Sequence, residues 1–174
     1  LRTTSLEHVL FMKSHIITAD RLWDGVSDDV QKGVGILIEG PKILDVLPKK
    51  KLPSRVKKVE FKGCTVLPGM IDAHVHYSSV MGPSFLAAGV TTIRDVGNDL
   101  EWILRQRAQH AENPSLGPRI VCCGYLLDGS TANWKHMGRP HADAKALRKS
   151  ILHEVARGVD AIKLYANLTT EMIR

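Results

Sequence analysis

Asp72, His74, His76 and Lys163 are the residues of this 174-residue chain whose types and spacing suit metal-assisted chemistry. Asp72-Ala73-His74-Val75-His76 follows the turn signal Pro68-Gly69 and sits in a short apolar run. If Met70 to Val75 is a strand, successive side chains alternate faces, so Asp72, His74 and His76 project the same way. Two imidazoles on one face at a strand end can hold one metal ion, with Asp72 below them. A bare His-x-His also has a plainer reading, as a satisfied core or loop pair. Lys163 follows Asp160-Ala161-Ile162 at the end of an expected buried strand, where a lysine is costly unless it is paired or neutral. A neutral amine can take up carbon dioxide as a carbamate, which behaves as a carboxylate and can bridge two metal ions. The plainer alternative is an ion pair of Lys163 with Asp72 or Asp95.

The elements that must position these residues change character at Pro68-Gly69. Before it the chain reads as short strands. Lys13 to Thr18 is apolar and β-branched, Gly33 to Glu39 is a strand ended by Gly40-Pro41, and Lys42 to Leu47 is its hairpin partner. Arg55 to Phe61 alternates, and Lys62-Gly63 turns into Cys64 to Leu67. After Pro68-Gly69, strands alternate with helices: strand Met70 to His76, helix Pro83 to Ala88, strand Val90 to Val96, and a helix from Leu100 to Glu112 capped by Asn98 or Asp99. A near-continuously apolar strand, Arg119 to Leu126, comes next. The polar stretch Leu127 to His141 reads as a long loop carrying Trp134, His136 and His141, and loops of that length inside a compact unit tend to be functional. A helix from Asp143 to Arg157, closed by Gly158, and a strand from Val159 to Leu164 complete the fourth unit, with Tyr165 just beyond. Such alternation gives an α/β fold with a parallel sheet, either a barrel or a doubly wound open sheet, and in both the site residues belong at the carboxyl ends of the strands.

Composition excludes several classes. With 44% hydrophobic and 24% charged residues the chain is globular, and no apolar run approaches the roughly 18 residues of a membrane span. The net charge of +6 gathers at Lys49-Lys50-Lys51 and Lys57-Lys58, without interleaved aromatics, so no nucleic-acid partner is expected. Cys64, Cys122 and Cys123 form neither a disulfide framework nor a CxxC pair and read as free thiols of a cytoplasmic protein. The chain begins with Leu1 rather than methionine; Met12 is the expected start, with residues 1–11 a disordered or non-native leader.

Leu67-Pro68-Gly69-Met70-Ile71-Asp72-Ala73-His74-Val75-His76, Gly89-Val90-Thr91-Thr92-Ile93-Arg94-Asp95-Val96-Gly97 and Gly158-Val159-Asp160-Ala161-Ile162-Lys163-Leu164-Tyr165, in this order behind a β-rich opening, resemble the amidohydrolase superfamily, in its imidazolonepropionase-like and prolidase-like branch. The resemblance implies the N-terminal part of a (β/α)8 TIM barrel, about four βα units over 68–174, preceded by a partial β-sandwich over 12–67. It implies two divalent metal ions, usually zinc, with His74 and His76 on the first and a carboxylated Lys163 bridging both. The implied reaction is hydrolysis of amide or peptide-type C–N bonds by a metal-activated water, on a small amide, dipeptide or cyclic amide. Asp72 and Asp95 are expected behind the ligands, Arg94 as structural, and Trp134, His136, His141 and Tyr165 toward substrate. The family's remaining ligand histidines and its general-base aspartate come from later strands that this chain lacks, so alone it is expected to be inactive, and to be a homo-oligomer when complete. The rival is a non-catalytic relative with a structural or assembly role.

Overall fold

The computed structural model describes residues 14–174, so the expected leader at 1–11 lies outside the described residues. The chain divides into two compact units, Leu1–Pro68 and Gly69–Arg174.

The first unit is one mixed sheet of five strands, β1 (Ser14–Leu22), β2 (Gln31–Lys32), β3 (Val34–Glu39), β4 (Lys42–Pro48) and β5 (Lys57–Val66). Strand β1 is central: it pairs antiparallel with β3 and β2 and parallel with β5. Because β1 uses both of its edges, all five strands join a single sheet. Ile16, Leu22, Ile36 and Val56 form its buried interior. The segments Arg55–Phe61 and Cys64–Leu67, expected as separate strands, are one strand, because a register shift opposite Ala19–Arg21 absorbs the Lys62-Gly63 turn signal.

The second unit alternates strand and helix: β6 (Met70–Val75), α1 (Gly82–Ala87), β7 (Val90–Asp95), α2 (Leu100–Glu112), β8 (Arg119–Cys122), β9 (Leu126–Asp128), β10 (Gly138–Pro140), α3 (Ala144–Arg157), β11 (Lys163–Leu164) and α4 (Thr170–Ile173). Strands β6, β7 and β8 form one parallel sheet in that order, and β10, β9 and β11 form another, also parallel. The core joins Val75 and Tyr77, Ile93, Ile103, Ile120 and Cys122. Helix α2 starts where the Asp99 carboxylate accepts the Trp102 N–H at 2.9 Å, and α3 where Asp143 accepts the Ala146 N–H at 2.8 Å. No helix among the described residues is long and apolar enough to cross a membrane.

Three expectations change here. The single strand Arg119–Leu126 is split into β8 and β9 by Cys123-Gly124-Tyr125. Gly124 takes a positive φ of 75°, and the Tyr125 N–H turns out of the ladder to the Glu154 carboxylate at 3.0 Å. The strand Val159–Leu164 narrows to Lys163–Leu164, because the Asp160 carboxylate takes the Cys122 N–H at 2.9 Å in place of a backbone carbonyl. The loop Leu127–His141 is not wholly irregular: β9 and β10 occupy its two ends in parallel register.

Candidate active site at the strand ends

Strand β6 delivers two imidazoles to one face. Val75 and Tyr77 are buried while His74 and His76 between and beside them are exposed, the alternation a pleated strand imposes. The two rings stand edge to face with centroids 5.8 Å apart. His76 Nδ1 lies 2.9 Å from the carbonyl oxygen of Gly97. A carbonyl only accepts, so Nδ1 is the donor in this contact, and in the neutral ring Nε2 is then the nitrogen with the lone pair. This is the arrangement in which a histidine serves as a metal ligand with its tautomer set from behind. Two imidazoles on one zinc at about 2.0–2.1 Å have ring centres roughly 5 to 6 Å apart, so the observed spacing fits a shared ion.

Asp95 is fully buried at the end of β7. Its carboxylate accepts the Tyr77 N–H at 2.7 Å, the Gly97 N–H at 3.1 Å and the Asn98 side-chain amide at 2.9 Å. It thereby holds the backbone on both sides of the His76–Gly97 contact. Asp72 accepts the His74 backbone N–H at 3.1 Å, which places it on the strand and not on a ring. The Arg94 Nε donates to the Ala73 carbonyl at 2.8 Å, tying β7 to β6.

Lys163 begins β11, in register with Leu126 of β9. Register partners in a parallel ladder project from the same face. Leu126 packs against Gly97 so closely that a Cβ there would lie 2.4 Å from Leu126 Cδ2, and 3.2 Å from His76 Cε1. His76, Gly97, Leu126 and Lys163 therefore follow one another across the strand ends. Lys163 is half-buried, and its side-chain amine makes no hydrogen bond or ion pair among the described residues, while Asp72 and Asp95 are engaged by backbone N–H groups. The nearby thiols stay protonated: burial pushes the Cys122 thiol up to about 12 and raises that of Cys123.

Of the loop residues, Trp134 and Tyr165 come together, the indole Nε1 donating to the Tyr165 hydroxyl at 3.1 Å. His136 is exposed. His141 is buried with both ring nitrogens occupied, Nδ1 by the Asp128 carbonyl at 2.9 Å and Nε2 by the Ser150 hydroxyl at 2.8 Å, so it packs the loop from within. Sequence reading missed Asp128 and Asn98. The buried Asp128 carboxylate collects N–H groups from Gly129, Asn133 and Asn167 and fixes the loop that carries Trp134. Burial raises its pKa, but those N–H groups outweigh it, Asn167 foremost, and hold the carboxyl below the usual carboxylate range. Asn98, the residue after the Asp95-Val96-Gly97 strand end, was read only as a helix cap.

Among the described residues no three His, Cys, Asp or Glu side chains form a cluster able to hold a metal ion. At the strand ends stand two imidazoles whose spacing suits one ion, and the Lys163 amine on the ladder partner of Leu126.

No protein-family model matches the chain, and no curated protein matches it. Solved structures do. A prolidase complexed with N-methylphosphonate-L-proline is 20% identical with a TM-score of 0.69, over 87% of this chain and 46% of its own. A Xaa-Pro dipeptidase with methionine bound in its active site is 23% identical with a TM-score of 0.70, over 92% and 52%. A bottromycin amidohydrolase is 19% identical with a TM-score of 0.73, over 99% and 39%. These neighbours are amidohydrolase-superfamily proteins, whose fold is a TIM barrel. The chain has the mixed α/β fold of part of such proteins and spans about half of their length or less.

Proposed function

We propose that the chain is the N-terminal part of a metal-dependent hydrolase of the amidohydrolase superfamily, acting on amide or peptide-type C–N bonds of a small substrate. The observation that carries the reading is the His76 imidazole, its Nδ1 committed to Gly97 and its Nε2 left for a ligand beside His74. The likeness to solved prolidase and amidohydrolase structures supports the same assignment at the level of fold.

In this reading His74 and His76 would hold one divalent ion, imidazole donors suiting zinc, and a carboxylated Lys163 would supply a carboxylate-like ligand to the same centre. When bound, such ions supply Lewis acidity and an activated water. The chain's own part is positional. Asp95 and Gly97 orient His76, Asp72 holds the strand beneath His74, and the lone Lys163 amine has the freedom to add carbon dioxide. Trp134 and Tyr165 form an aromatic ledge, with His136 near it in sequence, that suits a dipeptide or cyclic amide; His141, engaged on both nitrogens, is left out of this set. The same reading takes 12–67 as a partial β-sandwich domain and 68–174 as the first half of a barrel. It takes the complete protein as a cytoplasmic homo-oligomer with free thiols.

The test is metal analysis of the protein purified without chelator, with hydrolysis assays on Xaa-Pro dipeptides and cyclic amides. About two metals per chain in the whole protein and chelator-sensitive hydrolysis support the enzyme; a metal-free, inert whole protein supports the non-catalytic relative instead.

A further inference from the structure

We propose that Asn98 is a positioning residue for His76, holding its imidazole as the Nδ1–H tautomer through a clamp across three strand ends. The metal reading above matters only for what the free Nε2 then does.

The clamp is built from both hydrogens of one amide. Asn98 Nδ2 donates to the Tyr77 carbonyl at 2.9 Å and to Asp95 Oδ2 at 2.9 Å. Its backbone N–H reaches the Gly124 carbonyl at 2.7 Å, so a single residue joins the ends of β6, β7 and β8. Asp95 closes the other side by accepting the Tyr77 and Gly97 N–H groups. Tyr77 directly follows His76, and its peptide N–H and carbonyl are both held. Gly97 directly precedes Asn98, and its N–H is held, which aims its carbonyl at the His76 ring 2.9 Å away. Few side chains can do this. An aspartate at 98 would set its oxygens against those of Asp95 and Tyr77, and a serine has one hydrogen where two are used. Loss of the amide leaves the Tyr77 carbonyl without this donor and frees the loop that presents the Gly97 oxygen.

The experiment reads the imidazole nitrogens of the full 174-residue chain by long-range proton–nitrogen correlation, at a pH where the rings are neutral, together with a Zn2+ titration. In the unmodified chain His76 should carry its proton on Nδ1. In Asn98→Ala the His76 signal should move toward the Nε2–H form while His74, outside the clamp, keeps its spectrum, and Zn2+ affinity should fall about 10-fold. Asn98→Ser, a milder change, should give a smaller shift of the same sign and serves if the alanine variant fails to fold. A proton on His76 Nε2 in the unmodified chain, or an unmoved tautomer in the folded variants, overturns the positioning role. If the tautomer and its shift appear but Zn2+ is never taken up, the clamp stands and the metal reading falls.

Discussion

The Gly97 carbonyl oxygen lies 2.9 Å from His76 Nδ1, and the Leu126 side chain crowds the space a Cβ on the same glycine would take. A Cβ added there would stand 2.4 Å from Leu126 Cδ2 and 3.2 Å from His76 Cε1, so the Leu126 side chain would have to shift and the imidazole to give slightly. Gly97→Ala should therefore push Leu126 and the His76 ring apart. We expect a loss of about 1–3 kcal/mol in urea unfolding and weaker Zn2+ uptake. An alanine variant as stable and as avid as the unmodified chain would show that the packing yields more easily than this geometry implies.

Glu154 should make stability fall as pH rises. Its carboxyl is buried beneath the break between β8 and β9; one oxygen takes the Tyr125 N–H and the other has no partner. Burial pushes its pKa from the ordinary 4.5 up to about 7, against the Tyr125 N–H and the Arg139 charge, which lower it. The folded state keeps the proton after the unfolded chain has lost it. The stability contribution is therefore complete below pH 4.5 and is lost as pH rises through about 7. A loss on the order of 3 kcal/mol across that window is expected. In Glu154→Gln, urea midpoints at about pH 5 and about pH 8 should come together; an unchanged difference between them would assign the effect to another group.

Lys163 should react with carbon dioxide. Its amine makes no hydrogen bond or ion pair among the described residues, and its strand neighbour Leu126 packs beside Gly97 next to His76. With carbon-13 bicarbonate and Zn2+ present, the chain should show a carbamate carbon resonance that Lys163→Ala lacks. The same resonance in the variant, or none in either protein, would remove Lys163 from the proposed centre.

The sequence exposed some of this more readily than the rest, for physical reasons. Pro68-Gly69 punctuates the chain where the compact units divide, and the alternation of Val75 and Tyr77 with His74 and His76 is legible because a strand has only two faces. Asp95 could be placed at a strand end by pattern. Its three N–H partners could not, since they come from the ends of two strands. An apolar run hides its own interruption, so the break at Cys123–Tyr125 was invisible: it depends on Glu154, twenty-nine residues beyond Tyr125 in sequence. His141 looked like a loop histidine because only the fold supplies the Ser150 hydroxyl and Asp128 carbonyl that bury it.

Whether His74 and His76 share one ion is read by following both imidazoles of the chain while Zn2+ is added. One site should fill, the His76 Nε2 and a His74 ring nitrogen should shift together while His76 Nδ1 keeps its proton, and the His74→Ala/His76→Ala double variant should lose the site. Zn2+ that leaves both imidazoles unmoved, or that binds the double variant equally well, would contradict a shared ion.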